Sequence, residues 1–195
     1  MTHKQSDKVT KQQAWQLVRD YPFAQLHFLT SPSSLDNIIH LPVYLDANSD
    51  TLYCHLANAS NPLDDWPEGT PVSVVFSGPH AYISPTWAEE QKEPTWNYAW
   101  VHIQTRAEYL SDTALKHELM EKMVRQFEPE WRQESLPPQR LQAMLKAITF
   151  IKLPILNWQA RFKLSQNKTA KTRQILEKAL KNKGYQTLSS LMGTN

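Results

Sequence analysis

Apolar and polar positions change period repeatedly along this chain, and each change predicts an element. Ala14, Trp15, Leu17 and Val18 recur at helical spacing behind Thr10-Lys11-Gln12-Gln13. That tetrad is a capping box: the Thr10 hydroxyl accepts from a backbone amide while the Gln13 side chain reaches back. Tyr21-Pro22 ends the helix, because a residue before proline is driven toward extended backbone. From 23 to 30 the period becomes two, with Ala24, Leu26 and Phe28 on one face and Gln25 and His27 on the other. NIIHLPVYLD (37–46) predicts a second strand, residues 47–50 a turn, and TLYCHLA (51–57) a third strand, together a hairpin.

Residues 61–66 read as one short helical turn, and 72–76 as a strand followed by GPHAYISP and a Pro- and Trp-rich loop at 85–95. Residues 96–109 alternate as one long strand. Leu115, Leu119, Met123 and Phe127 form a helical stripe that Pro129 stops, and Leu141, Met144, Leu145 and Ile148 form another behind Pro137-Pro138. Strands follow at 149–153 and 158–164, then a last helix from about 169 to 182 with Gly184 as its cap. Successive strands without helices between them argue for an antiparallel barrel, not a parallel α/β sheet. The expected class is α+β, mainly β. At 195 residues the expectation is a single domain, 1–195, with a basic helical segment at about 168–195.

Composition refines this picture in three places. Thirteen prolines against four glycines fit a chain of short pieces joined by rigid turns, and seven tryptophans suit interfaces or planar-ligand pockets as well as cores. The net charge of +2 hides an asymmetry: residues 161–183 carry eight Lys/Arg and one acid, Glu177, leaving the remainder five charges negative. Such a segment serves as a solvated helix face, or meets an anionic ligand, a nucleic acid or an acidic partner. A lone Cys54, no membrane-length apolar run and no apolar leader at the N-terminus predict a cytoplasmic protein that enters no membrane.

Most familiar chemistries lack their residues. GxGxxG, GxxxxGK[ST] and GxSxG loops are absent, and the four glycines stand apart. The seven histidines are scattered and there is no Cys pair, so no metal site and no catalytic residues are expected. Cys54 lies mid-strand and reads as a packed core thiol. What remains is a set of polar residues within apolar strands: His40 in IIHLP, His55 in YCHL, and Ser77-Gly78-Pro79-His80 after VVF. Strand ends that present His, Asn and Ser to one region suit a ligand mouth.

HLPVYLD (40–46), CHLANASNP (54–62), VFSGPHAYISPTW (75–87), PTWNYAWVHI (94–103) and FKLSQNK (162–168) resemble, in order, the blocks of the PaiB-like family of FMN-binding negative transcriptional regulators. The resemblance spans roughly residues 22–182. It implies a split β-barrel of the pyridoxamine-phosphate-oxidase kind that binds FMN at a two-fold homodimer interface. It further implies that His40 and the segment His55, Asn58, Ser60 hold the phosphate and ribityl chain. Trp96, Asn97 and Tyr98 would lie near the isoalloxazine edge, and Ser165, Gln166 and Asn167 would reach in from the partner subunit. Lys163 or Lys168 would supply positive charge to the phosphate. The family pattern carries a basic residue in the H-x-A-[Arg/Lys]-A-N-P block where this chain has Asn58 and one extra residue, which implies weaker FMN binding here. The function implied is a flavin-binding transcriptional regulator, although no DNA-reading motif is evident. A flavin-dependent oxidoreductase and a haem-handling split barrel are the alternatives on the same fold.

Overall fold

The structure is a computed structural model, and it describes residues 9–30, 34–58 and 66–193. The expected turn at 61–66 and the candidate Ser60 thus lie outside the described residues, apart from Trp66.

The chain opens with α1 (Lys11–Asp20), whose capping box forms as the sequence demands. The Gln13 amide donates to Thr10 Oγ1 at 3.2 Å and the Thr10 amide donates to Gln13 Oε1 at 2.8 Å. β1 (Phe23–Phe28) buries Ala24, Leu26 and Phe28, the apolar set of its alternation. The expected strand at 37–46 is two strands, β2 (Ile38–Pro42) and β3 (Tyr44–Asp46), in different sheets. Pro42 has no amide to continue a ladder, and the amide of buried Val43 donates instead to Pro22 O at 2.9 Å. β4 (Thr51–Ala57) completes the hairpin with β3, pairing Tyr44 with Tyr53 and Asp46 with Thr51. The turn holds because Asp46 accepts from the Asn48 amide at 3.0 Å and Ser49 Oγ at 2.9 Å.

β5 (Pro71–Ile83) runs straight through the expected break at GPHAYISP. Its buried positions are Val72, Val74, Phe76 and Gly78, then Ala81 and Ile83. The pleat slips by one residue across Pro79-His80, which lets the strand continue. β6 (Thr95–Arg106) stops short of the expected 109, since Ala107 exchanges backbone bonds with Gly69 and Thr70, at 2.8 and 2.9 Å. β7 (Glu108–Tyr109) then joins the other sheet. α2 (Thr113–Arg125) ends before Phe127, which is exposed, and α3 (Pro138–Lys146) ends before Ile148, which opens β8 (Ile148–Pro154). β9 (Asn157–Lys163) and α4 (Ala170–Asn182) follow expectation, with Thr169 as N-cap and Gly184 at φ +88°. A last helix, α5 (Gln186–Gly193), falls within the segment expected to be helical at about 168–195, but as an element separate from α4.

The strands form a five-stranded sheet, β2-β1-β5-β6-β9, and a four-stranded sheet, β3-β4-β8-β7. The ladders β1–β2, β1–β5, β3–β4, β4–β8 and β7–β8 are all antiparallel. The described residues divide into two compact units, one of 9–20, 77–101 and 159–193, the other of 21–30, 34–58, 66–76 and 102–158. In the second unit α2 and α3 cover the four-stranded sheet through Leu119, Met120, Met123 and Leu145, packed with Tyr53 and Phe150. Phe28 and Trp66 stack at 3.7 Å, and the Trp66 indole donates to buried Asn37 at 3.0 Å. The first unit buries Leu17, Val18, Ile83, Phe162, Leu176 and Leu188 among others.

Gly78 marks the tightest approach in that unit. A Cβ there would lie 2.8 Å from Leu17 Cδ1 and 3.1 Å from Ala99 O. Gly78→Ala is expected to cost about 1–3 kcal/mol by overpacking, read as a lower urea midpoint with an unchanged slope.

Candidate ligand site

In the first unit the connection between β5 and β6 folds against the end of β9 and the turn before α4. Between them lies a cavity of about 760 Å³. Asn97, Lys163, Ser165, Gln166, Asn167 and Lys168 line it, so the structure gathers half of the residues singled out from the sequence. Asn97 is fully buried on β6, and its amide both donates to Ser165 Oγ at 3.0 Å and accepts from it at 3.1 Å. Its Nδ2 also lies 3.4 Å from Met192 Sδ on α5.

Ser165 can meet Asn97 because the SQN turn takes a left-handed step there, with φ at 60°. Gln166 braces the turn: its Oε1 accepts from the Leu164 amide at 2.7 Å and its Nε2 donates to Phe162 O at 2.6 Å. Lys163 Nζ donates to Thr95 Oγ1, and Lys168 Nζ donates to Glu90 O at 3.1 Å. The Glu90 carboxylate accepts from Thr169 Oγ1 at 2.9 Å and Thr172 Oγ1 at 2.6 Å. Those two hydroxyls hold its carboxyl below the usual range, with Lys168 and Lys171 adding a smaller pull. The loop is thereby fastened to the N-terminal turn of α4, where a carboxylate also meets the helix dipole favourably.

Trp96 and Tyr98 face away from Asn97, as strand alternation requires. Trp96 is half exposed and lies near His80 and Tyr82, with ring centroids 6.3 and 6.1 Å away. The Arg161 guanidinium, from the cavity wall, sits 6.0 Å from the Tyr98 ring centroid.

His40, His55 and Asn58 belong to the second unit. His40 is exposed on β2 and lies against Phe23 at 6.3 Å. His55 is directly opposite Phe150 in the β4–β8 ladder, with ring centroids 5.4 Å apart, and its Nδ1 is buried with no hydrogen-bond partner. Asn58 is fully engaged: Nδ2 donates to Lys146 O at 2.7 Å and Oδ1 accepts from Thr149 Oγ1 at 2.9 Å. Its backbone amide donates to Ala147 O at 2.8 Å, so the side chain clamps the exit of β4 to the α3–β8 connection. Cys54 is completely buried, and burial pushes its thiol up to about 12, which removes any thiolate reactivity near neutrality. Among the described residues no group of three His, Cys, Asp or Glu side chains is placed to hold a metal, and no helix is long and apolar enough to cross a membrane.

The sequence reading missed Gln91 and Arg161, both of which line the cavity. Gln91 lies in a stretch of charged residues with no periodicity, and only its burial, 3% exposed, sets it apart.

The antiparallel, mainly β architecture with peripheral helices is of the split-barrel kind. The chain belongs to the family described as "Putative FMN-binding domain", which matches residues 1–157. It is 32% identical over 167 residues to "Protease synthase and sporulation protein PAI 2" of Bacillus subtilis (strain 168), covering 83% of this chain and 80% of the relative. The fold is also that of an FAD and haem binding protein from Mycobacterium smegmatis, with a TM-score of 0.64, 17% identity, and 85% and 77% of the two chains covered. The flavocytochrome Anf3 from Azotobacter vinelandii superposes with a TM-score of 0.59 at 18% identity over 80% and 72% of the two chains.

Burial holds the His55 imidazole below its usual pKa of 6.5, so the folded state binds its proton less readily than the unfolded chain does. Its contribution to stability is therefore fully present above pH 6.5 and is lost as pH falls through the depressed folded value. Urea melts of the native chain are expected to weaken across that acidic window, and His55→Gln should flatten part of the slope. His102, lowered by burial in the same direction, accounts for part of the remainder.

Proposed function

We propose that this chain is an FMN-binding regulatory protein, acting as a homodimer, with the flavin seated at the cavity bounded by Asn97, Lys163 and the SQN turn. The observation that carries the reading is the convergence of cations on a preorganised polar wall. Arg161, Lys163 and Lys168 line the same cavity as the buried Asn97–Ser165 pair, whose mutual hydrogen bonds hold the wall in one shape. A volume of about 760 Å³ falls within the range of cofactor pockets. When bound, the flavin supplies redox chemistry or a redox-sensitive shape, and the protein contributes binding and electrostatics.

The phosphate is met by Lys163 or Lys168, not by residue 58. The Asn58 amide is spent on Lys146 O and Thr149, which supports a structural duty for it in this chain. FMN affinity is accordingly lower than in relatives with a basic residue in that block. The regulatory role rests on the resemblance to the PaiB-like family; the Bacillus relative is named for protease synthesis and sporulation. Part of the basic C-terminal segment is engaged within the chain: Arg173 donates to Met192 O, and Lys183 lies 5.6 Å from the Trp87 ring centroid. Those ties favour a packing role over tight sequence-specific DNA reading.

Two measurements test this. Titration with FMN, followed by quenching of flavin fluorescence, is expected to show saturable binding. Lys163→Met or Lys168→Met should weaken FMN by about tenfold or more, the worth of one charged hydrogen bond, while riboflavin, which lacks the phosphate, changes little. Equal losses for both flavins would remove the phosphate assignment. Light scattering should give about twice the chain mass of 22.6 kDa.

A further inference from the structure

The outer face of α4 carries one sign of charge. Lys171, Gln174, Ile175, Lys178, Lys181 and Asn182 are all exposed, and at about 3.6 residues per turn they share one arc of about 120°. The rest of the helix is spent on the fold. Thr172, Leu176 and Leu180 are buried, and Arg173 donates to Met192 O. The one acid of α4, Glu177, is turned toward α5: its Oε2 lies 3.8 Å from where a Cβ on Gly193 would stand.

A helix face that only meets water looks different in this chain. On α2 the signs are mixed and pair four residues apart, Lys122 with Glu118 at 2.6 Å and Arg125 with Glu121 at 3.7 Å. The remaining ion pair among the described residues, Lys152–Glu108, involves no residue of α4 either. Residues 161–183 are strongly cationic while the remainder of the chain is net negative, so a polyanion is drawn to this helix and away from the body.

We propose that the outer face of α4 is a docking surface for duplex DNA, its three lysines meeting backbone phosphates without reading sequence. This goes beyond the flavin reading, and none of the six residues of the face lines the cavity. Composition selects the partner. Lysine is depleted from protein–protein interfaces, whereas protein–DNA interfaces are far more positive. Lysine, glutamine and asparagine are also side chains that donate to phosphate oxygens. A lipid surface would need an apolar side to insert, and the apolar side of α4, Leu176 and Leu180, is buried within the protein. A rigid helix that spreads Lys171 to Lys181 over about 15 Å can follow a backbone or lie along the major groove of B-form DNA.

Anisotropy of a labelled DNA duplex, titrated with the native chain at several salt concentrations, tests this. Two duplexes of unrelated sequence should bind alike, with Kd of about 10⁻⁴–10⁻⁶ M at physiological salt. For one engaged helix with three phosphate contacts, raising salt about fourfold should weaken binding about 40-fold. The double variant Lys178→Gln, Lys181→Gln leaves one lysine, so the same rise should weaken its already poorer binding only about fourfold. Lys178→Arg with Lys181→Arg, which keeps the charge, should bind as the native chain does, and thermal melts check that both variants are folded. Absence of DNA binding by the native chain, or binding undiminished in the glutamine variant, overturns the proposal. So does equal binding to polyglutamate, which points to an acidic protein partner, or binding to phosphatidylserine vesicles in place of DNA. Titration of FMN into the glutamine variant should match the native chain, and failure of both to bind FMN overturns the flavin reading while leaving this one standing.

Discussion

The buried hydrogen bonds between Asn97 and Ser165 are the constraint on which the site depends. An amide placed at 0% exposure on a central strand must find its partners inside the protein, and the described structure supplies a serine from a turn 68 residues later. Meeting it requires the SQN turn to take the left-handed backbone of Ser165, and that turn then places Gln166, Asn167 and Lys168 around the cavity. Met192 of α5 closes on the same amide, so the last helix is drawn into the arrangement. A polar core network of this kind costs stability when broken and enforces one geometry when whole.

Around that pair, the loop before β6 is held by contacts that reach outward to α4. The Glu90 carboxylate on two threonine hydroxyls and Lys168 on the Glu90 carbonyl form a small network at the helix N-terminus. The bonds from Lys168 and Thr169 are exposed and that from Thr172 is part-buried, each is individually modest, and together they hold the loop that carries Gln91. The basic character of 161–183 thus acquires distinct meanings residue by residue. Lys163 and Lys168 belong to the cavity, Arg173 ties α4 to α5, and Lys171, Lys178 and Lys181 remain on the surface.

In the second unit, three residues that the family resemblance linked to the ligand have structural occupations of different weight. Asn58 is a clamp, His55 a half-buried ring against Phe150, and His40 an exposed ring beside Phe23. The exchange of a basic residue for Asn58 therefore alters more than a charge. A short amide can satisfy both Lys146 O and Thr149, whereas a long cation could not accept from Thr149 at all.

The linear pattern determined the elements whose cause is local. The capping box of α1, the alternation of β1, the β3–β4 hairpin and the Thr169-capped α4 all follow from neighbouring residues, and the ordered motif blocks carried the family. Tertiary structure decided where strands end and which sheet they enter. The break at Val43 and the separation of β6 from β7 depend on backbone partners distant in the chain, Pro22 and Gly69–Thr70, that no periodicity encodes. The same holds for the passage of β5 through Pro79, tolerated because the pleat slips there, and for α5, whose Leu188 and Met192 are buried by the fold. Gln91 was illegible for a related reason. Its neighbours in sequence are charged and exposed, and only the folding of its loop over the SQN turn buries it and leaves one acceptor unpaired.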